Sequence, residues 1–170
     1  MKVGLIIFVL FAGISLYSCS GGSSSENNSS SDSVSNAGSA SETMDNNTPS
    51  IDVNAPSASK GVGKFTDVKI GAAIDPAMAA KGQEVFETKC TACHQATDKK
   101  LIGPGLKGIS KIRTPEWIMN MMTNPDEMTH KDPVAMALYD EFNHTQMTNQ
   151  GLSDEEARQV LEFFRKNDSQ

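Results

Sequence analysis

The rhythm of apolar positions changes three times along the chain. After a single basic residue, Lys2, an apolar run extends from Val3 to Leu16, too short for a comfortable bilayer span but matching the core of an export leader. From Ser20 to about Lys60 periodicity gives way to Ser, Asn and Gly with hardly an aromatic. Such a segment buries too little apolar surface to offset the entropy of ordering, so it is expected to be a disordered tether. Apolar residues return in "KFTDVKIGAAID" from Lys64, where a short extended segment is expected.

From there the spacing is helical. Asp75 and Pro76 form a cap followed by a proline at the first helical position, and Met78, Gly82, Val85, Phe86 and Cys90 fall on one face of a helix predicted over 76–91. Gly82 costs such a helix about 1 kcal/mol against alanine, which close approach of another helix would explain. The candidate partner is the last segment, where Ser153 and Glu156 make a capping box ahead of a stripe of Ala157, Val160, Leu161 and Phe164 ending near Arg165. Phe86 should meet Phe164 or Leu161 across Gly82. Between them, "TPEWIMNMM" pairs the cap Thr114 with Pro115 and an apolar face of Trp117, Ile118, Met121 and Met122; "DPVAMALYDEF" repeats the device with Asp132, Pro133, Val134, Leu138 and Phe142. The pattern predicts an all-α fold of about four short helices. The domains read as a leader over 1–18, a flexible linker over 19–63 and a helical domain over 64–170.

Three cysteines change the picture. "LYSC", Leu16 to Cys19, resembles the bacterial lipoprotein cleavage box, in which Cys19 would be lipidated and become the first mature residue. Each buried CH₂ then adds about 0.8 kcal/mol of membrane affinity, and more than one chain anchors stably. An uncleaved signal anchor is the competing reading and leaves the protein at the same membrane face. The linker, about 44 residues, would give an r.m.s. reach of roughly 33–40 Å; a glycosylated serine-rich stalk is its alternative. The formal net charge of −6 excludes broad nucleic-acid affinity.

The other two cysteines stand in "ETKCTACHQA". Cys90-x-x-Cys93-His94 is the spacing of covalent haem c attachment: two thioether bonds fix the porphyrin and the adjacent imidazole reaches its iron. A zinc module on the same three residues lacks a fourth ligand and sets a histidine directly beside a cysteine, unlike usual zinc spacings.

Residues 75–166 resemble a small single-haem class I cytochrome c. Besides the motif, Gly82 and Phe86 sit at the family's four-residue steps, "IGPGLKGI" over Ile102 to Ile109 is similar to the family's Gly-Pro-x-Leu-x-Gly segment, and Trp117 and "MTNQGLSDEEA" resemble family positions. The resemblance implies that the Pro104 carbonyl accepts a hydrogen bond from His94, with Trp117 packing on haem or supporting the ligands. It also implies Met147, in the loop before the last helix, as second axial ligand, although Thr148 follows where the family often has proline. His144, His130 and then Met128, placed early in a polar connector, are the rivals. Met119, Met121, Met122 and Met136 fall within helices as packing.

With His94 and Met147 on iron, the resemblance implies a one-electron carrier, not an enzyme, with the macrocycle buried by Phe86, Leu106, Ile109, Trp117, Leu138 and Phe164. The alternative is a haem peroxidase or gas sensor with an open or exchangeable sixth site. Lys89, Lys99, Lys100, Lys107, Lys111 and Arg113 against the single acid Asp98 suggest a positive rim facing an acidic redox partner, or simply a solvated face. Expected partners are a quinol-oxidising complex as donor and a terminal oxidase or copper-containing nitrogen-oxide reductase as acceptor. The expected location is outside the cytoplasm, lipid-anchored to a bacterial membrane and facing the periplasm.

Overall fold

The computed structural model describes residues 50–170, in which the chain forms helices and loops without a strand. The leader, Cys19 and the linker as far as residue 49 lie outside the described residues. Six helices follow in order: α1 Pro76–Lys89, α2 Ile109–Ile112, α3 Pro115–Thr123, α4 Pro125–Lys131, α5 Pro133–Glu141 and α6 Asp154–Asp168. α1, α3, α4 and α5 each begin on proline, whose missing N–H costs nothing at a helix start. Asp75, Thr114 and Asp132 cap their helices as expected, Asp132 by accepting from Val134 and Ala135 N–H at 3.1 and 2.9 Å. The capping box at α6 is complete: Ser153 N–H donates to Glu156 and Glu156 N–H to Ser153 Oγ.

α1 packs along α6, which also touches α2 and α3. A Cβ at Gly82 would lie 1.9 Å from the carbonyl oxygen of Gln159, so the expected close approach is real and leaves room for no side chain. Phe86 meets Phe164 edge-on at 5.7 Å and Phe163 at 5.3 Å, pairs worth about 0.5–1.5 kcal/mol each beyond area burial. Trp117, Ile118, Met119 and Met122 of α3 complete the core with Ala157, Val160 and Leu161.

Three expectations need correction. Two short helices, α2 and α4, join the expected four; Met128, assigned to a polar connector, is fully buried in α4, its Sδ accepting Val62 N–H at 2.9 Å. The segment after Lys64 joins no strand: helix side chains take the backbone groups of Phe65 and Val68. The linker also ends earlier than residue 63. Arg113 donates to the carbonyls of Val53 and Ala55, Ser57 N–H donates to Ile112 O at 2.9 Å, Thr114 Oγ1 donates to Ser59 O at 2.7 Å, and Asn120 Nδ2 donates to Lys60 O at 3.0 Å. Residues 53–75 are thus a strap fastened to the helices.

Candidate haem site

α1 stops at Lys89, yet Cys90 N–H still donates to Phe86 O at 2.9 Å. The chain then turns: Cys93 and His94 N–H both donate to Cys90 O, at 3.1 and 2.9 Å. Thr91 Oγ1 donates back to Glu87 O at 2.7 Å, satisfying one of the carbonyls a helix end leaves over. This turn brings Cys90, Cys93 and His94 to line one cleft. Burial pushes the Cys90 thiol up to about 11, against the pull of Lys89 and with a further push from Cys93.

His94 is held on two sides. Its Nδ1 lies 2.9 Å from Pro104 O; a carbonyl can only accept, so Nδ1 carries the proton and Nε2 keeps the lone pair a metal would use. Beside the ring, a Cβ at Gly103 would lie 2.5 Å from Cε1 and 2.9 Å from Nδ1. Gly103 N–H donates to Cys93 O and Leu106 N–H to Gln95 O, both at 2.9 Å, tying the 103–106 loop to the motif. Glycine and proline at 103 and 104 therefore set the imidazole's place and its tautomer.

The remaining walls are mostly apolar. Phe86 of α1, Leu106, Ile109 of α2, Trp117 of α3, Leu138 of α5 and Phe164 of α6 all line the cleft, so the six side chains expected to bury a macrocycle come together. Met121 and Met122, read as packing, line it as well, as do Ile102, Tyr139 and Phe142. Tyr139 was the missed residue with a signal: it neighbours Leu138 on a short amphipathic helix. Met147 joins the lining from the α5–α6 loop, which turns through Asn143 and His144 at φ 53° and 58°, a region non-glycine residues seldom occupy.

The rival ligands sit elsewhere. His144 is exposed, stacked edge-on to Tyr139 at 5.0 Å with Nε2 3.2 Å from Asp140. His130 is exposed on α4 beside the Asp126 carbonyl, and Met128 is spent on Val62. Among the described residues no group of three or more His, Cys, Asp or Glu is arranged to hold a metal ion. Two thiols and an oriented imidazole, inside apolar walls that also carry a thioether, fit haem c.

The positive rim is thinner than the sequence suggests. Lys89 pairs with Glu156 at 2.9 Å, Lys100 with Glu141, Lys107 donates to Asn167 O, and Arg113 is buried under the strap. Of the six rim cations, only Lys99 and Lys111 lack such a partner among the described residues.

A family model for cytochrome c matches residues 79–168. No curated protein matches the chain. Among solved structures, a cytochrome c from Rhodothermus marinus is 42% identical, covering 63% of this chain and 90% of its own with a TM-score of 0.61. An engineered form of that cytochrome, Rma TDE, is 41% identical over 64% of this chain and 92% of its own, with a TM-score of 0.61. The same engineered protein bound to a carbene intermediate is 40% identical over the same shares, at 0.59. The chain therefore belongs to the cytochrome c family of electron-carrying haem proteins, and its Cys90–His94 motif has the spacing that takes haem c covalently.

Proposed function

We propose that this cytochrome is a membrane-anchored one-electron carrier whose haem iron is ligated by His94 and Met147. The observation that carries the reading is that Met147 and His94 line the same apolar cleft while His130 and His144 stand outside it. Haem c, when bound, supplies a one-electron couple. Cys90 and Cys93 would hold it covalently; Pro104, through Nδ1, keeps the His94 Nε2 lone pair directed away from the loop. The apolar lining from Phe86, Leu106, Trp117 and Leu138 excludes water. A thioether, softer than a second imidazole, favours the ferrous state and so a higher potential.

Cytochrome c domains are typically exported, and no helix among the described residues is long and apolar enough to cross a membrane. The lipoprotein box at Cys19 supports attachment through lipid, at a periplasm-facing bacterial membrane. A quinol-oxidising complex as donor, and a terminal oxidase or copper-containing nitrogen-oxide reductase as acceptor, are the proposed partners.

A second reading is an exchangeable sixth position serving peroxidase or gas-sensing chemistry; the engineered relative has been solved bound to a carbene intermediate. Optical spectra of haem-loaded wild type and Met147→Ala separate the two. The carrier reading expects a methionine–iron charge-transfer band in oxidised wild type, its loss in the variant, and no change when carbon monoxide is added to reduced wild type. Absence of the band together with carbon monoxide binding to wild type sinks it.

A further inference from the structure

Asp132 does more than cap α5. It is 2% exposed, and its two oxygens receive four hydrogen bonds. Oδ1 accepts from Val134 N–H, Ala135 N–H and, at 2.9 Å, Trp117 Nε1; Oδ2 accepts from Ser59 Oγ at 2.6 Å. Trp117 and Ala135 both line the haem cleft, whereas Ser59 belongs to the strap. The Arg113 guanidinium, which grips the strap carbonyls of Val53 and Ala55, lies 5.3 Å from the Trp117 ring. One buried carboxylate thus joins two cleft walls to a segment that does not line the cleft.

We propose that Asp132 is a positioning residue for the haem cleft, fixing the Trp117 indole and the start of α5 and placing behind them a negative charge that the strap, through Ser59, partly offsets. The inference rests on the carrier reading, and its physical content is a sign. A buried negative charge behind the cleft favours the more positive, oxidised haem and lowers the reduction potential; low local dielectric strengthens the effect. Removing the charge raises the potential. Removing a donor from that charge leaves it less offset and lowers the potential.

The test compares midpoint potentials of haem-loaded wild type, Asp132→Asn and Ser59→Ala, with near-UV circular dichroism of the single tryptophan alongside. The carboxamide oxygen introduced by Asp132→Asn can still accept from Trp117 and the α5 amides, so the fold is expected to hold. The expected result is a shift to higher potential in Asp132→Asn and to lower potential in Ser59→Ala. Shifts of one sign in both, or none in either, overturn the proposal, because a purely structural role lowers the melting temperature without reversing the potential. Should Asp132→Asn yield no haem-loaded protein, Ser59→Ala decides alone: a lowered potential supports the inference and an unchanged or raised one overturns it. Failure of the carrier reading shows separately, as carbon monoxide binding to wild type.

Discussion

The α1–α6 pair and the strap over 53–75 are both parts of one folded unit, but they are held by different physics. α1 and α6 meet through an apolar seam, with backbone against backbone at Gly82 and three phenylalanines beside it. The strap contributes few buried side chains, chiefly Val62, Phe65 and Val68 at the edge of the core. Its backbone is instead taken up by side chains of the helices: Asn120 accepts from Phe65 N–H and donates to Phe65 O and Lys60 O, Glu116 accepts from Val68 N–H, and Arg165 donates to Gly71 O. Apolar seams tolerate many sequences of the right volume, whereas polar clasps depend on single side chains.

The sharpest way to break the seam is Gly82→Ala. The new Cβ meets the Gln159 carbonyl and the Val160 nitrogen, backbone atoms that cannot rotate aside, so the helices must separate. A loss of about 3 kcal/mol or more is expected, read as a lowered midpoint in thermal unfolding of the haem-loaded protein. A midpoint within a degree of wild type would mean that α1 and α6 are further apart than described.

The strap should break differently. Asn120 is 1% exposed and makes three hydrogen bonds to the strap backbone; Asn120→Ala leaves those groups unpaired, a cost of about 1–3 kcal/mol. Because the seam is untouched, the effect should be local. Amide hydrogen exchange is expected to accelerate at Phe65 and its neighbours while α1 and α6 stay protected. Equal acceleration in both regions would show that the strap and the seam open together.

The same contrast explains what was legible in the sequence. The seam was, because its determinants are local or periodic: Asp75-Pro76, the Ser153–Glu156 box, Gly82 and the phenylalanines. So was half of the haem site, since Cys90, Cys93 and His94 fall within one turn and most of the apolar walls on helix stripes. The strap was not. Composition measures how much a segment can bury, and a serine- and glycine-rich stretch scores low, yet Arg113, Thr114 and Asn120 capture it from more than 50 residues away. α4 escaped for a related reason: Pro125 and Pro133 bracket so short a segment that Met128 shows no periodicity, and only its contact with Val62 gives it a place. Gly103 was visible as part of a motif, but its reason, the His94 ring against its Cα, exists only in three dimensions.

The smallest expected effect concerns the polar clasps that the seam does possess, one toward each end. Glu162, buried on α6, accepts from Asp75 N–H and from Arg158 and Arg165; burial pushes its carboxyl up, but these partners together hold it below the ordinary range. Glu156 accepts from Ser153 N–H and from Lys89 Nζ at 2.9 Å, which lower its carboxyl from 4.5 to about 2. The folded state therefore binds these protons less readily than the unfolded chain. The stabilisation from Glu156 is present above about pH 4.5 and is lost as pH falls toward 2, and that from Glu162 is likewise lost on acidification. Glu156→Gln should flatten the fall of the melting temperature across that window, with a modest loss at pH 7 because the site is partly solvent-exposed and screened. If the variant's acid slope matches wild type, the Lys89–Glu156 clasp does not carry the acid response of the seam.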